Sequence, residues 1–359
     1  MKLALVHDYL NQRGGAERVF AVLAAAFPDA PIYTAFYDEQ KTGDWFAGRT
    51  IHSSWLAGMP GIRKRFRWYA PFYPHAFERF DFSGYDAILS SSSAWAKGVL
   101  VPSGCVHLCY LHSVSRFLFD YDAYVGGLGV GSLARPLVAG LSRWDIRAAQ
   151  RPTEMLANSA TTARRALQYY GRKLEVLHPP VDTERFVQRR EPHEAFLVVA
   201  RMLPYKRIDL AIDAARIAGT PLRIVGDGPM RTALERRAQG APVTFLGELG
   251  DRAIADELAR ARAIVVPGVE DFGLMPLEAA ASGTPSIAFR GGGATESIIE
   301  GTTGAFFDRP EATDLAAALR KFNTSDFDEE QMRAHAARFS NRAFIERIRS
   351  RLAALVDAR

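Results

Sequence analysis

The chain has 359 residues, room for two domains of ordinary size, and its 48% hydrophobic and 24% charged content is that of a globular protein. A formal net charge of +5 favours anionic partners without choosing among nucleotides, lipid headgroups and nucleic acid. No run approaches the roughly 20 apolar residues that a membrane-spanning helix needs, and two cysteines make no disulfide framework.

Lys2 to Val6 is apolar but too short for a signal peptide, and His7-Asp8 interrupts it, so it is read as a first buried strand. A cytoplasmic protein is expected. Gly14 and Gly15 then lead into a helical run from Val19 to Phe27. A strand, a glycine turn and a helix present backbone N–H groups and a helix N-terminus to an anion. The run is not G-x-G-x-x-G, which leaves a nicotinamide cofactor little support.

Residues 61 to 80 are the densest basic and aromatic stretch, with Arg63, Lys64, Arg65, Arg67, Trp68, Tyr69, Phe72, Tyr73 and Phe77. Three readings fit it. Cations can meet anionic lipid headgroups while aromatic rings sit at the boundary. Alternatively the segment is a helical hairpin with its aromatics turned inward, or it binds nucleic acid, for which no recognised motif is present. Nucleic acid is not expected as a partner.

Tyr85 to Leu89 is the next strand, with Ser90 to Ser93 as a polar switch at its end. His107 to Leu111 follows as a strand and puts His112 at a carboxyl end. Cys105 and Cys109 fall on one face of that stretch with only His107 nearby, and are read as buried small apolar residues rather than a zinc site. Asp145 to Arg151 reads as helix, Glu154 to Ser159 as a strand and its end, and Leu174 to Leu177 as the last strand of the first half. The Pro-rich turn His178-Pro179-Pro180-Val181-Asp182 marks the domain boundary. The alternation then restarts with Ala195 to Ala200, whose following loop carries Arg201 and Lys206, two cations able to reach one diphosphate. Leu222 to Val225 ends in a Gly-rich turn at Gly226, and Val243 to Leu249, which includes Glu248, is read as a further strand.

Ala263 to Pro267 is again a short apolar run, a buried parallel strand by composition. Pro276 suits the first turn of a helix that Ser282-Gly283 stops, before the strand Thr284 to Phe289. Glu270 therefore lies in the loop at a strand's carboxyl end, and Glu278 in the helix that follows. In open α/β sheets that is where ligands bind, and ionised carboxylates there accept hydrogen bonds from hydroxyl groups. Gly273 lets the backbone approach a ligand closely.

The spacing Glu270-x7-Glu278 resembles the motif of retaining glycosyltransferases of the GT-B fold, specifically glycosyltransferase family 4. Four other stretches are similar to the same family in the same order: His7-Asp8-Tyr9-Leu10 with Gly14-Gly15-Ala16-Glu17-Arg18, Tyr110-Leu111-His112-Ser113, Arg201-x4-Lys206, and Gly291-Gly292-Gly293 before Glu296. The chain carries Val114 where the family commonly has proline, and His178 where it commonly has asparagine.

The resemblance implies an α/β protein of two Rossmann-like, doubly wound domains facing across a cleft. Residues 1–178, completed by a C-terminal helix at 341–359, would take the acceptor, and residues 179–340 the donor. It implies sugar transfer from a nucleotide-diphosphate sugar with retention, no cofactor and no metal. Arg201 and Lys206, aided by Gly14 and Gly15, would stabilise the departing diphosphate, and His112 and Glu270 would hold the sugar. Glu278 would hold the ribose, with Gly226, Glu248, Phe272, Gly273 and Leu274 around the donor. The clamp and the His-Asp-Tyr-Leu start are most similar to bacterial mannosyltransferases of surface-polysaccharide and lipopolysaccharide assembly. GDP-mannose is then the expected donor, and a lipid-linked saccharide at the inner membrane face the expected acceptor. A UDP-sugar-dependent transferase, a nucleotide-sugar 2-epimerase and a non-catalytic binding protein are the alternatives.

Overall fold

A computed structural model describes residues 1–120, 135–186 and 194–359. The chain divides into two compact units. Residues 1–120, 135–180 and 341–359 form the first, and residues 181–186 and 194–340 the second.

The first unit is built on β1 (Leu3–His7), β2 (Ile32–Thr34), β3 (Ile51–Ser53), β4 (Ala87–Ser92), β5 (Val106–Leu111), β6 (Glu154–Ala157) and β7 (Glu175–Val176). They lie in the order β3-β2-β1-β4-β5-β6-β7, every neighbouring pair parallel. Each residue of β1, β4 and β5 is buried, so these strands lack the in-out alternation of a half-exposed strand, and the polar residues they hold, His7, Ser90 to Ser92 and His107, are buried with the rest. The order reverses between β1 and β4, and register there puts His7 opposite Ser91. The closing helix Asn341–Asp357 seats Phe344, Ile348 and Leu352 in this unit, with the Phe344 ring 5.1 Å from that of Tyr110.

The second unit holds β8 (Phe196–Val199), β9 (Leu222–Val225), β10 (Val243–Gly247), β11 (Ile264–Val266), β12 (Ser286–Phe289) and β13 (Gly304–Phe307). Their order is β10-β9-β8-β11-β12-β13, again all parallel, with the reversal between β8 and β11. Both sheets are therefore doubly wound, and each has one topological switch point.

Several local expectations are corrected. The first helix starts at Gly15, not Val19, because Gly14 already serves as its extended N-cap. The helix read at Asp145 to Arg151 runs instead over Arg135–Ala148. Ser90 to Ser92 lie inside β4 rather than beyond it. Their hydroxyls tolerate that burial because each finds a partner, Ser90 Oγ with His107 Nε2 at 2.7 Å for one. Cys105 precedes β5 and is only half-buried, while Cys109 is fully buried and its thiol is pushed up to about 11 by that burial. Residues 61–80 split their aromatics between two fates. Phe66, Tyr73 and Phe77 enter the core, whereas Trp68 is 76% and Phe72 48% exposed. Among the described residues no helix is long and apolar enough to cross a membrane.

Candidate active site

The switch point of the second sheet gathers the residues singled out by motif. Beyond β8 the chain passes Arg201, half-buried, and makes the tight turn Pro204–Lys206. Beyond β11 it runs through Gly268 and Glu270 into the helix Leu274–Ala281. These two loops touch. A Cβ on Gly268 would stand 2.3 Å from the Tyr205 carbonyl oxygen and 2.9 Å from Lys206 Cα, so a side chain there would push them apart. Contact of the backbones brings the side chains together, and Lys206 Nζ donates to Glu270 Oε1. The third loop, after β12, closes on the same spot, where Gly293 N–H donates to the Glu270 carbonyl at 2.9 Å.

Gly273 caps the helix at a φ of +88°, a left-handed conformation that glycine adopts without strain. Glu278 lies one turn further on and is 7% exposed. A carboxylate so buried needs a partner, and its Oε1 accepts from Arg185 Nη2 at 3.1 Å. Gly226 donates its N–H to the Gly247 carbonyl at 2.8 Å, and Glu248 follows in an exposed turn. Leu274 opens the helix, half-buried. The Phe272 side chain is buried, 6.0 Å from the Phe339 ring, so it is the backbone of this residue that the loop can offer to a ligand.

The sequence placed Arg201 and Lys206 as two cations waiting for one diphosphate. In the structure Lys206 pairs with Glu270, and a third cation, Arg185, pairs with Glu278. Arg185 was missed because it is 93 residues from its partner and belongs to no motif.

The switch point of the first sheet carries a second cluster. His112 follows β5 directly, its N–H donating to the Ser92 carbonyl at 2.9 Å. Its Nε2 lies 2.7 Å from Ser91 Oγ, which lies 3.0 Å from His7 Nδ1. His7 is stacked on Phe20 at 4.6 Å, and burial lowers its pKa to about 3, so it stays neutral at any working pH. A neutral imidazole and a hydroxyl thus fix the ring of His112. Asp8, next along, spreads its carboxylate over the N–H groups of Ser93, Ala94, Trp95 and Ala96 at 2.7 to 3.0 Å and so shapes the loop after β4. Gly14 and Gly15 stand at the N-terminus of their helix as expected, but the chain's own Glu17 reaches back to it. A Cβ on Gly14 would meet Glu17 Oε2 at 2.5 Å. The signal for His7 and Ser91 was present: both are polar residues ending apolar runs, and parallel register makes strand ends neighbours. Among the described residues no group of three or more His, Cys, Asp or Glu converges to hold a metal ion.

Two family models match the chain, "Glycosyltransferase Family 4" over residues 13–185 and "Glycosyl transferases group 1" over residues 181–341. A GDP-mannose-dependent alpha-(1-6)-phosphatidylinositol dimannoside mannosyltransferase of Mycobacterium tuberculosis is 40% identical over 160 residues, 42% of this chain and 41% of that protein. A D-inositol 3-phosphate glycosyltransferase of Geodermatophilus obscurus is 30% identical over 205 residues, 46% of this chain and 44% of that one. The matches thus span less than half the length of these relatives. Among solved structures, Anabaena HepE in complex with UDP-glucose superposes with a TM-score of 0.74 over 99% of this chain and 100% of its own, at 19% identity, a likeness of fold alone. With the two models together running from residue 13 to residue 341, the chain belongs to the group 1, family 4 glycosyltransferases and has their GT-B fold.

Proposed function

We propose that the chain is a retaining hexosyltransferase that moves mannose from GDP-mannose to a lipid-linked saccharide in bacterial polysaccharide or lipopolysaccharide assembly. The observation that carries the reading is the Lys206–Glu270 ion pair at the mouth of the second sheet, with Glu278 one turn beyond it. As the glycosidic bond to the diphosphate breaks, negative charge grows on the leaving oxygen. Lys206 turns from Glu270 to that charge, and Arg201 at the same mouth assists it. Glu270, released, accepts from the sugar's hydroxyls, with His112 as a second sugar contact, while Glu278 accepts from the ribose. Binding thereby exchanges one internal ion pair for two ligand contacts. The acceptor's proton passes to the leaving phosphate, and we assign no enzymic base and no metal.

Mannose and the guanine base are supported by the likeness to the GDP-mannose-dependent mannosyltransferase of Mycobacterium tuberculosis and by the clamp sequence. Thermal unfolding with GDP, UDP, ADP and their common sugars, without metal, tests the donor. Stabilisation by GDP and GDP-mannose alone is expected, by the linkage between ligand binding and stability. Stabilisation by UDP-sugars alone would overturn the donor and return the 2-epimerase to contention.

The acceptor side of the proposal includes an anionic membrane surface. Trp55, Trp68 and Phe72 are 41%, 76% and 48% exposed beside the exposed Arg63, Lys64, Arg65 and Arg67, with Trp55 and Phe72 rings 6.1 Å apart. Exposed rings among cations suit the boundary between headgroups and acyl chains. Replacing the four cations together should abolish cosedimentation with anionic vesicles and leave transfer to a soluble acceptor intact. Unchanged cosedimentation would sink the membrane contact.

A further inference from the structure

We infer that Arg185 is a positioning residue for nucleotide recognition, orienting the Glu278 carboxylate and tying it to the start of the helix Asp251–Arg260. The inference rests on the proposed reading of Glu278 as the ribose contact. One guanidinium spans two carboxylates from two helices. Its Nη2 lies 3.1 Å from Glu278 Oε1 and its Nη1 3.7 Å from Asp251 Oδ2. The same group lies over the Phe186 ring at 4.7 Å, so three contacts fix its plane.

The geometry suits arginine specifically. A planar fork presents donors in two directions at once, whereas a lysine ammonium at the end of its stem is a single point charge. Holding Oε1 sets the plane of the Glu278 carboxylate and hence where its second oxygen points. Asp251 opens the helix that follows β10 and the exposed Glu248 turn. Arg185 therefore couples the carboxylate proposed for the ribose to the turn that the sequence assigned to the donor. It also sets a positive charge beside Glu278, whose own charge would otherwise oppose a diphosphate nearby. Side-chain exposures of 22%, 10% and 26% for Arg185, Glu278 and Asp251 leave the triad only lightly screened by water.

The test is discrimination between a ribonucleotide and its 2′-deoxy form, read as a ratio of Kd values by calorimetry on the full chain. GDP with 2′-deoxy-GDP, and UDP with 2′-deoxy-UDP, are the probes. The wild-type chain should prefer the ribonucleotide, and Arg185→Leu should reduce that preference about tenfold, the low end for a charge-assisted hydrogen bond. Arg185→Lys should restore part of it. In a Glu278→Gln background Arg185→Leu should add nothing, because the two act through one contact. An unchanged ratio in Arg185→Leu, whatever happens to its melting temperature, overturns the positioning role. If Arg185→Leu does not fold, Asp251→Asn releases only the outer tie and should lower the ratio about threefold, a smaller loss of the same kind. No change there also overturns the inference. A wild-type chain that binds nucleotide without any ribose preference would instead remove the reading of Glu278 itself.

Discussion

Lys206→Ala should lower kcat/KM by roughly one and a half to three orders of magnitude, a loss of about 2–4 kcal/mol in transition-state stabilisation. Two effects act in the same direction. The variant lacks the cation proposed to meet the charge growing on the diphosphate, and it leaves the Glu270 carboxylate, 19% exposed, without its ion-pair partner. Because the charge is greater in the transition state than in bound donor, the loss should fall more on kcat than on KM. Folding should be little affected, since a partly exposed ion pair of this kind adds about 1 kcal/mol or less. Steady-state kinetics on purified chain with GDP-mannose and a saccharide acceptor, alongside a melting curve, check both halves. A drop below about fivefold would remove Lys206 from the chemistry and leave the pair with Glu270 as a structural tie.

The parts of this site that were legible in the sequence are those carried by local chemistry. Short runs free of polar residues announce parallel strands covered on both faces, and the loops after them must then lie at carboxyl ends. Glu270, Arg201, Lys206 and His112 were singled out this way, and Glu278 in the helix that follows. In the structure Arg201, Lys206 and Glu270 lie in the loops after β8 and β11, which flank a reversal of strand order, Glu278 lies in the helix beyond, and His112 directly follows β5, one strand away from the other reversal. What the sequence concealed depends on register and distance. His7 meets Ser91 because β1 and β4 pair in one register; each is visible as a polar residue ending an apolar run, but their pairing across 84 residues is not. Arg185 meets Glu278 across 93 residues of sequence, from a short turn to the helix Leu274–Ala281. Phe272 looked like part of a ligand loop, yet apolar contact with Phe339 outweighed its position and turned the ring inward. The basic aromatic stretch could not be divided by composition. Only the packed structure separates Phe66 and Tyr73, which the core takes, from Trp68, which it leaves in water.

Lys97→Met should destabilise the first unit by about 3–5 kcal/mol, the range for breaking a fully buried ion pair from one side. Lys97 Nζ and Asp145 Oδ1 are 2.5 Å apart, and both side chains are 0% exposed. Removing the ammonium strands a carboxylate that also accepts from Ser115 Oγ at 3.0 Å and from Tyr170 OH at 2.6 Å. Burial raises the Tyr170 phenol well above its ordinary range, so it remains a neutral donor that offsets only part of that charge. The cluster matters beyond its own energy. Lys97 lies in the turn after β4 whose N–H groups Asp8 holds, Ser115 follows His112 by three residues, and Asp145 and Tyr170 come from the two helices Arg135–Ala148 and Ala160–Tyr170. One buried pair thus ties the turn after β4 to the segment that follows His112. Urea unfolding should show the loss as a lower midpoint with unchanged slope, and melting should fall by roughly 10 °C. Lys97→Met with Asp145→Leu should recover much of the loss, because no charge is then left without a partner. A single variant within about 1 kcal/mol of wild type would show that the backbone contacts to Asp8 and Ser92 hold the turn after β4 without the ion pair.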